Sequence, residues 1–277
     1  MTLETSPRPR ARIGKRSRAL ALAVVLALPV LATAGPAQAA PGAKVQPAAA
    51  PQSDLLAGLT DLLARLLPVP TAVPGVAPSL VSQVTASTVR VNGVACGARL
   101  SGSGFSPAPD TIVTNAHVVA GTTVTSVLRP DGRSLPATVQ AFDPDRDLAV
   151  LSVPGLGEPS LPIASAVPGE NAAVFGHPLG RVPVEVSPAV VLRRVTADVG
   201  DIYGGPSGPR QVLVLNSNLD PGDSGAALVN SSGQVVGVAF AIANLRRSTA
   251  YAVASEELGP VLARPRTGPV STGPCLD

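Results

Sequence analysis

Three short segments, far apart in the sequence, contain the residue types of a nucleophile, a general base and a group that orients the base. TNAHVVAG surrounds His117, DPDRDLAVL surrounds Asp147, and DPGDSGAAL surrounds Ser224. A serine hydroxyl attacks a carbonyl carbon once a base removes its proton, and a carboxylate can hold that base in the correct tautomer. We therefore expect Ser224 to be the nucleophile, His117 the base and Asp147 the orienting carboxylate of an acyl-transfer reaction.

The residues beside Ser224 predict a tight turn that binds negative charge. Gly222 and Gly225 permit backbone angles that other residues rarely adopt, and Pro221 fixes its own φ. Such a turn directs the backbone N–H groups of Gly222 and Ser224 toward one point. We expect these two amides to form the oxyanion hole of the reaction.

Other residues compete for the same roles. His177 is the second of the two histidines, and its Gly/Pro-bounded loop FGHPLG favours a structural residue. Asp143 and Asp145 precede Asp147 in a segment that we predict to be an exposed turn. Asp147 directly precedes the apolar run Leu148–Leu151, which predicts a poorly solvated carboxylate suited to holding a histidine.

Short strands must position these residues. From Ser82 onward, β-branched and aliphatic runs alternate with turn residues, and no helical period is sustained. We predict strands at Thr88–Val91, Thr111–Thr114, Thr122–Leu128, Leu148–Val153, Ala172–Phe175, Val190–Val195, Gln211–Asn216, Ala226–Val229 and Gln234–Ile242. Many short strands without intervening helices predict an all-β domain, either a sandwich or a pair of barrels. The core must be aliphatic, because the chain has four Phe, two Tyr and no Trp.

Residues 1–39 have the pattern of a Sec-type signal peptide. A basic start precedes the apolar run Ala19–Ala34, which Pro29 interrupts, and Ala37-Gln38-Ala39 fits the cleavage rule for small residues. We predict cleavage after Ala39 and a secreted or periplasmic, cell-envelope protein. The alternative is an uncleaved membrane anchor.

The charge distribution gives no reason to predict nucleic-acid binding. The formal net charge is +3, but residues 1–39 carry six basic residues and one acidic residue. Residues 40–277 carry 15 basic and 17 acidic residues, so the basic character belongs to the leader. We expect protein or peptide substrates, no nucleic-acid partner, no stable membrane span after signal cleavage, no cofactor and no metal.

An Ala/Pro-rich linker is predicted at residues 40–81, with one amphipathic helix at 53–67. Leucines recur there at helical spacing, Ser53 can cap the start, and Pro68 ends the helix. We expect this helix to pack on the domain at 82–277; a pro-segment, a membrane-surface contact and a partner helix are the alternatives.

The two cysteines, Cys96 and Cys275, predict a disulfide in an exported protein. Such a bond would tie the start of the folded domain to its end. Two independent buried thiols are the alternative.

The motifs resemble those of bacterial trypsin-like serine proteases of the HtrA/MarP group, most of all the MarP-type periplasmic protease domain. The order His, Asp, Ser is also the order in chymotrypsin-like proteases. Further resemblance lies in Ser103-Gly104-Phe105, Phe142-Asp143-Pro144, Asp201-Ile202-Tyr203-Gly204 and Ser271-Thr272-Gly273-Pro274-Cys275. The resemblance implies a chymotrypsin-like double β-barrel of two six-stranded Greek-key barrels, serine endopeptidase activity and paired Cys96 and Cys275. It also implies a cell-envelope stress role.

The chain also departs from this group. A single signal-like run stands where MarP-type proteins carry several membrane spans, and no PDZ-sized segment follows the protease domain. Asp223 stands where proteases of this group often have Asn, and Ala226 stands where they usually have Gly. Asp223 beside the turn calls for a cation, either an arginine or an amine produced by processing within Val81–Val84.

Substrate preference is predicted from two positions. Asn218 lies six residues before Ser224, where trypsin-like enzymes place the floor of the primary pocket. Phe240, within the apolar run Val236–Ile242, is expected in the pocket wall. We predict small or medium apolar residues before the cut. The alternatives to an endopeptidase are a catalytically impaired peptide-binding module of the same fold, through Ala226 or a misformed turn, and an esterase.

Overall fold

A computed structural model describes residues 76–242, 248–264 and 268–276, and its strands form two closed barrels of six antiparallel strands each. The predicted chymotrypsin-like, all-β fold class is thereby confirmed. The first barrel contains β1 (Thr88–Ala95), β2 (Ala98–Ala108), β3 (Thr111–Thr114), β4 (Thr122–Leu128), β5 (Ser134–Asp143) and β6 (Leu148–Ser152). The second contains β7 (Asn171–Gly176), β8 (Glu185–Ala197), β9 (Arg210–Ser217), β10 (Ala227–Asn230), β11 (Val235–Ile242) and β12 (Thr249–Ala254).

The few helical segments are short. They are α1 (Pro78–Ala86), α2 (Ala116–Val119), α3 (Leu258–Leu262) and the 3-10 turns Pro178–Gly180 and Ser255–Glu257. None of the helices in the described parts of the chain is long and apolar enough to span a membrane.

The two barrels share one strand order. The first closes as β1-β2-β3-β6-β5-β4, and the second closes as β7-β8-β9-β12-β11-β10. In each barrel the third strand therefore pairs with the sixth, so the fourth and fifth strands, which lie between them in sequence, do not separate them in the sheet. This crossover brings residues that are distant in sequence to the same end of the barrel, and the site is built there.

The core is aliphatic, as the composition predicts. One buried cluster fills the first barrel and contains Val89, Val91, Ile112, Val127 and Leu151. A second fills the other barrel with Val191, Leu213, Leu215, Leu228 and Val236. A third joins the two barrels, and it holds the fully buried Phe105 and Phe175. The barrels are thus held together by a continuous apolar contact, so residues from both can form one rigid site.

Helix α1 extends the folded domain toward the N-terminus. Pro78–Val81, which we assigned to the linker, form its first turn, and Pro78 occupies the position where a missing N–H costs nothing. Val81 and Val84 are buried in the cluster between the barrels. The predicted signal peptide (1–39) and helix (53–67) lie outside the described residues.

A disulfide joins Cys96, at the tip of the β1–β2 hairpin, to Cys275, with Cα atoms 6.4 Å apart and 179 residues between them. Closing so long a loop contributes about 5 kcal/mol in the chain-entropy model. The tail that ends at Cys275 also binds the segment after α2, because Gly121 N–H donates to the Thr272 carbonyl and Thr272 Oγ1 donates to the Thr122 carbonyl. The disulfide thus anchors a tail that braces the segment next to His117.

Candidate active site

The pairing of β3 with β6 brings His117 to Asp147. Thr114, the last residue of β3, pairs with Ala149 near the start of β6. The chain leaving β3 therefore meets the chain entering β6, and His117 in α2 lies beside Asp147. Asn115 strengthens this junction, because its side-chain amide donates a 2.8 Å hydrogen bond to the Asp147 carbonyl.

Asp147 binds His117 through both its backbone and its ring. The Asp147 carboxylate accepts a 3.0 Å hydrogen bond from the backbone N–H of His117, and its Oδ2 lies 2.8 Å from Nδ1. Asp147 is 3% exposed, and it adopts a left-handed φ of 55° that aims its side chain at α2. A carboxylate only accepts hydrogen bonds, so Nδ1 carries the proton and Nε2 presents a lone pair. The His117 ring is thereby fixed in one orientation, with Nε2 turned away from Asp147.

The competing aspartates lie elsewhere. Asp145 is exposed, as predicted. Asp143 is not in an exposed turn: it is 2% exposed and forms ion pairs with Arg146 and Arg264. Our expectation of a solvated Asp143 was wrong because the chain folds its carboxylate under two arginines, one from its own turn and one that follows α3. Neither aspartate contacts His117.

Ser224 lies in a compact turn between β9 and β10. Asp223 N–H donates to the Asp220 carbonyl at 3.0 Å, and Ala226 N–H donates to the Asp223 carbonyl at 2.9 Å. Gly222 and Gly225 have φ values of 103° and 85°, which side chains rarely tolerate. A Cβ atom on Gly225 would lie 2.1 Å from the Ser103 carbonyl oxygen. The glycines are therefore required by the geometry, as the sequence predicts.

The backbone N–H groups of Gly222 and Ser224 make no hydrogen bond to any described residue. Their neighbours in the turn, Asp223, Gly225 and Ala226, all donate to carbonyl oxygens. Two free amides separated by one residue are the donors that an oxyanion requires. Within the same residues, no hydrogen bond joins Ser224 to the His117 ring.

Sequence reasoning missed Ser103, a fully buried residue of β2 that connects the turn to the rest of the protein. Its Oγ donates to the Gly222 carbonyl at 2.7 Å and accepts from the His177 N–H at 2.8 Å. Its N–H donates to the Ser224 carbonyl at 2.8 Å, and its carbonyl accepts from Thr114. The sequence did contain a signal: Ser103 lies between Gly102 and Gly104. Two glycines so close together in a strand indicate that another backbone segment packs closely against it.

The loop after β7 packs on the other side of the turn. Leu179 N–H donates a 2.6 Å hydrogen bond to the Pro221 carbonyl. Because the C=O and N–H of a trans peptide point in opposite directions, this bond turns the Gly222 N–H away from the loop. His177 is the structural residue predicted: it is 1% exposed, its Nδ1 lies 3.0 Å from the Arg181 carbonyl, and burial lowers its pKa.

Asp223 lacks the arginine that we expected as one of its two possible cations, among the described residues. Its carboxylate is buried and accepts a 3.0 Å hydrogen bond from the Asp220 N–H, and no described residue forms an ion pair with it. Val81 and Val84 are core residues of α1, so a new amine there would disrupt the core. Burial instead raises the pKa of Asp223 from 3.8 to about 6, so its contribution to stability falls as the pH rises through that interval.

A cavity of about 110 Å³ opens beside Ser224. The described residues that line it are Leu219, Asp220, Pro221, Asp223, Ser224, Ala239 and Phe240. Phe240 is therefore in the wall, where we expected it. Asn218 is not in the floor: it is exposed and lines a separate hollow with Ser217 and Pro188. The buried Leu219, one residue later, faces the cavity beside Ser224 instead.

Arg210 places a positive charge behind the cavity wall. Its guanidinium carbon lies 5.4 Å from the centre of the Phe240 ring. Burial lowers the pKa of Arg210, while the nearby negative charge of Asp147 acts in the opposite direction. No group of three or more His, Cys, Asp or Glu side chains in the described residues is arranged to hold a metal ion.

The trypsin-like peptidase domain family matches residues 102–238. Serine protease Rv3671c of Mycobacterium tuberculosis is 35% identical over 232 residues, which cover 80% of this chain and 57% of that protein. A probable periplasmic serine endoprotease DegP-like of Chlamydia pneumoniae is 34% identical over 146 residues, covering 51% of this chain and 28% of the relative. The chain thus spans little more than half the length of the mycobacterial protein.

Solved structures show the same similarity. The crystal structure of the active form of the Rv3671c protease matches with a TM-score of 0.69 at 35% identity, covering 72% of this chain and 89% of that chain. The inactive form of the same protease matches with a TM-score of 0.60 at 34% identity, covering 67% and 91%.

Proposed function

Because this chain belongs to the trypsin-like peptidase family, within the HtrA/MarP group of bacterial serine proteases, we propose that it is an exported serine endopeptidase. One observation carries the proposal. The Asp147 carboxylate binds both the backbone and the ring of His117, so Nε2 is left as an acceptor with no hydrogen-bond partner among the described residues. A histidine held in this way is a general base for a nearby serine.

The reaction runs through an acyl-enzyme. His117 Nε2 takes the proton of Ser224 Oγ as that oxygen attacks the carbonyl carbon of the scissile bond. The Gly222 and Ser224 N–H groups bind the oxyanion that forms. His117 then gives its proton to the leaving amine, which departs with the peptide after the cut. Water attacks the acyl-enzyme with His117 again as base, and the released acid restores Ser224.

Two observations support a competent site. The buried Ala226, where the group usually has glycine, fits the turn: its N–H donates to Asp223 and its carbonyl accepts from Ala239. The match to the active form of the mycobacterial protease also has the higher TM-score of the two.

The alternative is a peptide-binding module of the same fold without catalysis. The missing hydrogen bond between Ser224 and His117 is the observation in its favour. Catalytic hydrogen bonds are often long in the absence of substrate and tighten in the complex, so this gap does not outweigh the arrangement of His117 and Asp147.

The proposed preference is for a small or medium apolar residue before the cut. The cavity beside Ser224 is small, and Leu219, Ala239 and Phe240 supply apolar walls. Arg210 behind Phe240 disfavours a basic side chain there. A library of peptides that varies the residue before the cut, incubated with the full chain, tests both activity and preference. Cleavage after Ala, Val or Leu is expected. No cleavage overturns the proposed activity, and a strong preference for Lys or Arg overturns the proposed pocket.

We further propose that the protein acts in the cell envelope, in a response to stress. The signal-like pattern of residues 1–39 and the periplasmic relative support this location. Sequencing the N-terminus of the exported protein tests it: a start at Ala40 is expected, and a start before Ala19 overturns cleavage of the signal.

Replacing Ser103 with alanine is expected to lower kcat by about tenfold to a hundredfold with little change in KM. The substitution leaves the Gly222 carbonyl and the His177 N–H without their buried partner, and each such loss costs about 1–3 kcal/mol. The turn from Asp220 to Ala226, which we call the oxyanion turn, is then no longer fixed, while the side chains of His117, Asp147 and Ser224 are unchanged. Steady-state kinetics with one peptide substrate measure both parameters.

Ser106→Ala is the matched control, because Ser106 is a fully buried serine of the same strand whose Oγ donates only to the nearby Ala108 carbonyl. Equal loss of kcat in both variants would assign the effect of Ser103 to general destabilisation and contradict its role in positioning the turn.

A further inference from the structure

A second cavity, of about 420 Å³, lies on the first barrel next to the oxyanion turn. It opens between β1, β2 and β4, and Gly180 of the loop after β7 closes one side. It shares no lining residue with the cavity beside Ser224. It is large enough to accept a side chain and part of the backbone of a bound peptide.

The charge of this second cavity is positive. Arg90 and Arg99 are the only charged residues among the described residues that line it. Arg90 donates through Nη1 to the Gly180 carbonyl, and its buried Nε has no partner among the described residues. Arg99 is exposed and forms no ion pair with any of them. The cavity therefore holds guanidinium groups that no described carboxylate neutralises.

The second cavity begins within reach of the scissile bond. A Cβ atom on Gly222 would lie 3.3 Å from the Gly180 nitrogen, so the oxyanion turn touches the cavity wall. Beside Gly180 in the same wall, Ser101 precedes Gly102, where a Cβ atom would lie 3.0 Å from the Ser224 carbonyl. The turn thus lies between the two cavities, and a peptide crossing Ser224 with one end in the smaller cavity extends its other end toward the larger.

We propose that the second cavity binds an acidic side chain of the substrate, within about three residues after the cut, where an extended chain advances about 3.3 Å per residue. The inference rests on the proposed endopeptidase function and adds a substrate class to it. Guanidinium groups form charge-assisted, often bidentate hydrogen bonds with carboxylates. Arg99, with an unpaired guanidinium, is the group that binds the carboxylate, and Val94 and Val124 contact the aliphatic part of the peptide.

The test uses internally quenched peptides that share one sequence up to the cut and carry Glu, Gln or Lys at the first, second or third position after it. The full chain, Arg99→Gln, Arg99→Glu and the matched control Arg133→Gln are compared. Arg133 is an exposed arginine of the same barrel outside the cavity. A 4-nitrophenyl ester of an acylated alanine, which has no residue after the cut, measures the catalytic machinery separately.

The unmodified chain is expected to cleave the Glu peptide about fivefold faster than the Gln peptide, in kcat/KM, at one of the three positions. Arg99→Gln loses this preference, Arg99→Glu shifts it to Lys, and Arg133→Gln keeps it. All four proteins hydrolyse the ester at similar rates. Added salt reduces the preference, because Arg99 is exposed to solvent.

Equal cleavage of the Glu and Gln peptides at all three positions, with normal hydrolysis of the ester, would overturn the acidic subsite and leave the proposed function intact. A Glu preference that persists in Arg99→Gln would overturn the assignment to this cavity. Absence of both peptide and ester hydrolysis would overturn the proposed function, and the subsite with it.

Discussion

Ser224→Ala lowers kcat by about 10⁶ on a peptide substrate if the three residues act as one unit, because every covalent step passes through the serine oxygen. The turn itself should survive, since its hydrogen bonds are made by backbone atoms of Asp220, Asp223 and Ala226 rather than by the Ser224 hydroxyl. We therefore expect substrate binding, seen as peptide affinity in the inactive protein, to change little. Stopped assays over hours measure the residual rate.

Ser231→Ala is the control for this variant, because Ser231 is an exposed serine of the hairpin between β10 and β11. It should leave kcat unchanged. Loss of less than about tenfold in Ser224→Ala, with normal folding, would exclude Ser224 as the nucleophile and with it the acyl-enzyme route.

Asp147→Asn is expected to lower kcat by about 10⁴ while KM changes little. The asparagine fills the same space, but an NH2 donor replaces Oδ2, the acceptor that lies 2.8 Å from Nδ1, and it then faces the Nδ1–H donor of His117. The ring then adopts the other tautomer or loses its orientation, and Nε2 no longer serves as the base. The charge that stabilises the imidazolium is lost as well.

Two controls separate the three neighbouring aspartates. Asp145→Asn removes an exposed carboxylate and should leave kcat near normal. Asp143→Asn breaks buried ion pairs with Arg146 and Arg264, so it should lower the melting temperature more than it lowers kcat. If Asp143→Asn reduced kcat as much as Asp147→Asn in folded protein, the orienting role assigned to Asp147 would be wrong.

Much of the candidate site could be predicted because each of its residues lies in a short segment with a recognisable motif. His117, Asp147 and Ser224 lie in segments whose neighbours fix the local backbone, such as the glycines of the Ser224 turn. The position of Phe240 was predicted in the same way, from the apolar run Val236–Ile242 that contains it. The pairing of β3 with β6 joins the His117 and Asp147 segments, and Ser103 joins the Ser224 turn to the first barrel; neither contact is encoded locally in the sequence.

Three strands escaped prediction for different physical reasons. β2 reads as a glycine- and serine-rich loop, yet a Cβ atom on Gly102 would lie 2.7 Å from the Val118 side chain, so its glycines serve close packing. β5 contains Pro136, which usually marks a break. β12 is the alanine-rich TAYAVA, whose composition is ambiguous between helix and strand.

The remaining differences have separate physical causes, two of them local and one between distant segments. Asp223 is accommodated by burial and a backbone hydrogen bond rather than by a cation, and the donor comes from the same turn. Ser103 acts across the two barrels, 119 residues from the Gly222 carbonyl that it binds. Asn218 and Leu219 are neighbours in the chain, and the buried Leu219 is the one that lines the cavity.

Mass spectrometry of the protein treated with a fluorophosphonate tests whether His117 activates Ser224 as a nucleophile. We expect one phosphonyl adduct, located on Ser224, in the folded chain, and no adduct in His117→Ala or in the unfolded chain. A folded chain that acquires no adduct, or an adduct on a serine other than Ser224, would contradict this role of Ser224.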